Sequence, residues 1–414
     1  MTFPRVSRRR LLKAGAATLV GAAAVQAPFI GRAQAAANEL EIAVINSLSG
    51  RMARYGLELK RGIDLAVTAA NESGLEIDGA PIEVGIKEYD DKSEAVTAAR
   101  LVERAIDSDL VIAGVGSVNA KTIIPVAQRL RTPMLSLWAQ VDGVFAGQKG
   151  APYVFGPMPP FSLYYTQILE MVSQLDDPSV RTVAMITPRD ELGVFTAEQY
   201  VPSDVEKAGL ELLGTEFFPP NSQDFSSALD RIRRLEPDIL IINCYTPDII
   251  AVYKEMQATG YFPPVVIVEA PTNLAESLGS DLEGVFVPGF WDPTLDSTSD
   301  PIFGTSRDFS ARYQEAYGEA PPDFVAANAA NTIVVGVMAL VAAGGGGDPE
   351  KLRESLIEMD GETFFSTVRF ADDGLNQGGM VYPSQFQDGA PRLVYPPELK
   401  TAEIIHPLPA HQKN

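Results

Sequence analysis

The stretch Val111 to Thr122, VIAGVGSVNAKT, passes from apolar residues through Gly114-x-Gly116-Ser117 into helical spacing. A strand ending in this way and feeding a helix directs unpaired backbone N–H groups and a hydroxyl beyond the sheet. The chemistry on offer is the seating of an anion, phosphate or carboxylate, at Ser117; the same serine could instead cap only its own helix. Glu269 ends the apolar run PVVIVE. An acid at such a strand end is either solvated or placed to hold an ammonium group. Tyr55 and Tyr245 also follow strands closely, where an aromatic serves as core, rim or ligand wall.

Groups for covalent chemistry are scarce. The two histidines, His406 and His411, fall in a Pro-rich tail beyond the last expected strand, a poor place for a positioned base or metal ligand. No His/Cys spacing suits a metal, and neither a Walker-type Gly-Lys-Ser/Thr nor a Gly-x-Ser-x-Gly occurs. Gly114-x-Gly116 is only a fragment of a dinucleotide fingerprint. Asp90-Asp91 and Asp372-Asp373 could in principle exchange protons, but adjacent acids at strand ends usually turn the chain in solvent. The reading is therefore of binding without catalysis, with no cofactor and no metal.

The elements that would position these residues alternate. Strands are expected over 40–45, 82–86, 109–115 and 133–137, with helices over 55–71, 95–106 and 119–130 between and after them. The Pro-rich APYVFGPMPP, 151–160, interrupts the pattern. It restarts with helix 161–175, strand 181–187, helix 194–208, strand 211–217, helix 225–235, strand 238–243, helix 248–259 and strand 265–269. A second break at 287–293 leads to helices 302–317 and 323–343, and late strands are expected within 363–370 and 380–395. Two α/β units in series, each with a parallel-rich sheet, would set a site beyond the carboxyl ends of their strands.

Ser7-Arg8-Arg9-Arg10-Leu11-Leu12-Lys13, the mildly apolar run 14–25 and Ala33-Gln34-Ala35 read as a twin-arginine export signal over residues 1–35, and hence a periplasmic address. Its removal strips six positive charges and no acids, taking the formal charge from −21 to −27. A surface this acidic excludes nucleic acid as a partner. With Cys244 as the single cysteine, no intramolecular disulfide can form.

Four motifs in order carry a resemblance. They are Ile45-Asn46-Ser47-Leu48-Ser49-Gly50 with Tyr55-Gly56 and Arg61-Gly62; Tyr89-Asp90-Asp91-Lys92-Ser93-Glu94-Ala95; Asp224-Phe225-Ser226-Ser227-Ala228-Leu229 with Glu236-Pro237-Asp238; and Tyr317-Gly318-x-x-Pro321-Pro322-Asp323. Together they resemble the type I periplasmic solute-binding proteins of the branched-chain amino acid (Leu/Ile/Val) class. The resemblance implies two Rossmann-like lobes, 36–158 plus 290–371 and 159–289 plus 372–400, with a tail over 401–414. Three crossovers near 157–160, 288–292 and 371–374 would form the hinge. It further implies a monomer that closes on a small molecule and delivers it to a membrane ABC permease.

By the same resemblance Ser117 would hold a ligand carboxylate, Trp138-Ala139-Gln140 would add contacts, Glu269 would meet an ammonium group, and Tyr55 and Tyr245 would be aromatic walls. Gln140 departs from the usual Thr or Ser, and Leu192 from a common aromatic, while Trp138 and Trp291 could wall a flat ligand. The candidates are thus an amino acid, an amide or urea-like compound, or an aromatic carboxylate. A cofactor-dependent exported enzyme and a sensing module for a membrane receptor stand as the alternatives.

Overall fold

The structure is a computed structural model that describes residues 38–269, 274–296, 298–321 and 323–409. The export signal expected over 1–35, His411 and the loop directly after Glu269 lie outside these residues. From the start of the described chain, β1 (Asn38–Asn46), α1 (Ala53–Glu72), β2 (Glu76–Ile77), β3 (Ala80–Asp90), α2 (Ala95–Ala105), β4 (Leu110–Val115), α3 (Ser117–Leu130), β5 (Met134–Trp138), α4 (Asp142–Phe145) and β6 (Val154–Phe155) build a first sheet of order β2-β3-β1-β4-β5-β6. Apart from the short antiparallel β2, its pairings are parallel.

After the first crossing, α5 (Thr166–Ser173), β7 (Thr182–Pro188), α6 (Glu191–Phe195), α7 (Val201–Lys207), β8 (Glu211–Phe218), α8 (Ser226–Leu235), β9 (Ile239–Ile242), α9 (Thr246–Thr259), β10 (Val265–Val268), α10 (Leu274–Leu278) and β11 (Phe286–Gly289) follow. The chain then forms α11 (Ser306–Tyr317), α12 (Phe324–Ala343), α13 (Pro349–Ile357) and the hairpin β12 (Asp360–Glu362) with β13 (Thr367–Arg369). It ends in β14 (Tyr382–Gln387) and β15 (Ala390–Leu393), which complete a second sheet of order β15-β14-β11-β10-β9-β7-β8. The α/β class with two parallel-rich sheets is as expected.

Burial explains the apolar runs. β4, β5, β9 and β10 are buried at every position, as strands covered by helices on both faces must be. α12 is apolar enough to cross a membrane, its most apolar 18 residues having a mean hydropathy of 1.9, yet 89% of that window is buried. It packs along α1, where a Cβ on Gly62 would stand 2.0 Å from the Ala326 carbonyl oxygen. Only glycine allows that approach.

Crossings between the sheets are stitched together. Gly156 N–H donates to Gly374 O (2.8 Å) and Asn376 N–H to Gly156 O (3.0 Å). The fully buried Asn376 donates through Nδ2 to Pro157 O (2.8 Å) and Thr367 O (3.0 Å), and its Oδ1 accepts from Arg369 and Gly378 N–H at 2.9 and 2.8 Å. A single amide thus ties the first crossing to the third.

Several expected elements differ. Helix 161–175 begins as a 3-10 turn at Phe161–Leu163, because the Asp142 carboxylate holds Ser162 N–H (3.0 Å) and Oγ (2.7 Å) outside the α-helix. Helix 194–208 is broken by a π turn at Thr196–Tyr200 ahead of Pro202, whose missing N–H cannot continue the ladder. The break expected at 287–293 contains β11: Val287 and Pro288 pair with Ser384 and Pro383 of β14. Within 363–370, Phe364 and Phe365 are buried at the turn of a hairpin and are not part of one strand. Residues 403–405 run beside β14, where Gln385 and Gln387 side chains bond the Ile405 and Glu403 carbonyls.

Candidate functional site

The carboxyl ends of the two sheets face each other across a small cavity of about 20 Å³. The first sheet contributes Gly116 and Ser117 after β4, and Trp138, Ala139, Gln140 and Val141 at the end of β5. The second contributes Leu192 after β7, Tyr245 after β9 and Glu269 after β10. The first crossing adds Phe161 and Tyr164. Ser117, Trp138, Ala139, Gln140, Leu192, Tyr245 and Glu269, expected from sequence, therefore line one cavity although they lie up to 152 positions apart.

Tyr55 does not line it. Its ring packs on Trp138 at 4.6 Å between centroids, and its hydroxyl donates to Thr246 Oγ1 (2.7 Å) and accepts from Thr246 N–H (2.8 Å). Tyr55 thus supports the wall from behind and bridges the two sheets' loops. Trp291 is also no wall of this cavity: its Nε1 donates to Ser306 Oγ (3.1 Å) and its ring meets Phe309 edge-on. Ser117 is not a cap. Gly116 holds the cap position, with φ 84° and ψ 156°, and makes no side-chain capping bond. That conformation requires glycine, and it turns the Ser117 N–H toward the Tyr245 hydroxyl.

Sequence reasoning missed Phe161 and Tyr164. They stack on each other at 3.8 Å, and Tyr164 meets Phe290 of the second crossing at 4.5 Å. The aromatic cluster in FSLYY directly after the Pro-rich break was the available signal. Asp90 is a partly exposed turn acid, as expected, but Asp91 is not solvated. Asp91 is fully buried and accepts from Ser47 Oγ, Ser93 N–H and Asn119 Nδ2, while Asp90 Oδ1 accepts from Leu48, Ser49 and Lys92 N–H. Both shape the loops at the cleft, and neither lines the cavity. His406 is held by Asp177 at 2.9 Å and lies apart from the cavity.

The electrostatics of the cavity are one-sided. Glu269 is 5% exposed, and its Oε2 has no hydrogen-bond partner. Burial first, and then the charge of Asp190, push its carboxyl up to about 8. Burial and the Glu269 charge together push the Tyr164 and Tyr165 phenols well above their ordinary range. No cationic side chain lines the cavity among the described residues. Gln140 is 3% exposed; its Nε2 donates to the Tyr164 hydroxyl while its Oε1 is unpartnered. Among the described residues no cluster of His, Cys, Asp or Glu is arranged to hold a metal ion.

Ion pairs join the loops of the two sheets. Arg51, after β1, pairs with Asp248 of α9 (2.5 Å) and donates to Asn221 (2.6 Å). Arg54 pairs with Glu276, and Lys121 with Glu191 at 2.6 Å. The Phe195 ring presses against α4 at Gly143, where a Cβ would meet a ring carbon at 2.1 Å and the ring would have to shift.

Known proteins share this arrangement. Residues 39–389 match the family model described as periplasmic binding protein. The chain is 23% identical over 390 residues to a Leu/Ile/Val-binding protein homolog 8 of Brucella abortus, covering 89% of this chain and 94% of the relative. A leucine binding protein from Thermotoga maritima superposes with a TM-score of 0.72 at 22% identity, over 86% of this chain and 97% of that one. A branched-chain amino acid transporter substrate binding protein from Streptococcus pneumoniae, solved with isoleucine, gives 0.71 at 19% identity, over 89% and 100%. With a match through both sheets and the cleft between them, the chain belongs to the periplasmic binding protein family of extracytoplasmic solute-binding proteins, with the type I fold of its Leu/Ile/Val-binding-like members.

Proposed function

We propose that this protein captures a small amine-bearing solute between its two lobes and delivers it to a membrane ABC permease, altering no covalent bond. The observation that carries this reading is Glu269: a buried acid with an unpartnered oxygen, in a cavity without a cation. Leaving such a group unmet is costly, and an ammonium group of the solute would meet it. Ser117, at the first turn of the 14-residue α3, would seat a carboxylate where the solute has one, once the Tyr245 hydroxyl yields its N–H. Trp138, Tyr164 and Leu192 would wall the apolar part, with backbone contacts from Ala139.

The two bodies that move are taken as 36–158 with 290–371, and 159–289 with 372–400, turning at the crossings that Asn376 ties. Tyr55–Thr246 and the ion pairs between the loops would form on closure, so the solute shifts a hinge equilibrium toward the closed form. The relatives named for leucine and isoleucine support the amino-acid class, and the names that mention transporters support the permease. The Arg8-Arg9 motif supports export by the twin-arginine route.

A thermal-shift screen of amino acids, amines, amides and aromatic acids tests the reading. A true solute at 100 times its Kd raises unfolding stability by about 2.7 kcal/mol, and Glu269→Gln abolishes the response to amines. A screen with no response among amines would refute it.

A further inference from the structure

Buried side-chain oxygens without partners are exceptional in a folded protein, and this cavity holds two. Gln140 Oε1 and Glu269 Oε2 are both shielded from solvent and both lack a donor. They approach from different lobes, Gln140 from the carboxyl end of β5 and Glu269 from that of β10. Gln140 Nε2 gives one N–H to the Tyr164 hydroxyl, and Oε1 is left without a partner. Tyr164 is itself fixed between Phe161 and Phe290 at the first and second crossings. None of the donors on the walls, the Trp138 indole N–H and the Ser117, Tyr164 and Tyr245 hydroxyls, bonds either oxygen.

We propose that Gln140 determines specificity by demanding a second donor. The solute then presents N–H groups at two positions: an ammonium or amidinium group toward Glu269, and a carboxamide- or urea-type NH₂ toward Gln140. This rests on the solute-binding reading and narrows it to nitrogen-rich solutes over plain aliphatic amino acids. A solute with one donor group leaves one buried oxygen unmet and forfeits the interaction that the closed cavity is built to make.

Matched pairs isolate the second donor. L-asparagine and L-leucine have nearly the same shape, as do L-glutamine and L-methionine, but only the amides carry the extra NH₂. Calorimetric titration at pH 8.5 is expected to give an amide preference of at least about 10-fold in one pair. Gln140→Leu should erase it by weakening the amide about 10- to 100-fold while leaving the aliphatic partner unchanged or tighter. Gln140→Glu, which keeps an acceptor, should retain the preference and guards against a misfolded first variant. Equal or tighter binding of leucine and methionine overturns the proposal while leaving the solute-binding reading intact. So does tighter binding of amine-free carboxylates such as isovalerate, which would mean that Gln140 offers its NH₂ to the cavity. Absence of binding by every amine and amide overturns both.

Discussion

Glu269 makes a quantitative prediction about pH. Its carboxyl titrates near 4.5 in the unfolded chain and at about 8 in the folded protein. Between those values the native state holds a proton that the unfolded chain has released, so stability falls as pH rises through the window and levels off above it. The slope is about 1.4 kcal/mol per pH unit. Over the whole window it amounts to on the order of 5 kcal/mol for this one group. Glu269→Gln keeps the shape without the titration and should lack the slope.

Urea unfolding of wild type and variant from pH 5 to 8.5 measures it, and the difference between the curves removes the contributions of other buried acids such as Asp91, Asp142 and Asp300. A cationic solute selects the ionised carboxylate, so at pH 7 binding should release close to one proton, about 0.9. Titration in buffers of different ionisation enthalpy reads that number directly. Parallel stability curves for wild type and Glu269→Gln, or binding of an amine without proton release at pH 7, would refute the reasoning.

Further outcomes follow from single contacts. Tyr55→Phe removes a hydroxyl that bonds both Thr246 Oγ1 and N–H. Solute affinity should fall about 3- to 10-fold with little change in the unfolding midpoint; an unchanged Kd in titration would deny the bridge a role in closure. Asn376→Ala strips the amide that joins the first and third crossings, and should lower stability by about 3 kcal/mol or more, read by denaturant unfolding. Gly62→Ala forces a Cβ against the Ala326 carbonyl and should cost about 1–3 kcal/mol, visible as a lowered melting temperature. Wild-type stability in either variant would show that α1 or the crossings relax more freely than the packing implies.

Much of the fold was legible because its strands are short apolar runs and its helices have caps or clear periodicity. What escaped had a physical cause. β11 carries Pro288 and Gly289, residues that signal a break, and becomes a strand only because β14 returns from far along the chain to pair with it. α13 is polar, but Asp348 accepts from Lys351 N–H and Pro349 opens the first turn, signals that were present and unread. In the cavity, the strand-end residues Ser117, Tyr245 and Glu269 could be placed by the rule that α/β sites lie at carboxyl edges. Phe161 and Tyr164 come from a crossing, where no periodicity reports which side faces inward. Tyr55 was a wall only by the resemblance, its place after a strand leaving core, rim and wall open; its hydroxyl bonds Thr246, a partner 191 positions away that no local pattern reveals.

The central claim is that a small amine-bearing solute sits in the cavity between the sheets, held by Glu269. Native mass spectrometry of the protein, purified from its own compartment without unfolding, tests it most directly. The account predicts one small basic molecule bound at one per chain in wild type and lost from Glu269→Gln. The same adduct retained at the same occupancy in the variant, or an adduct without a basic nitrogen, would contradict it.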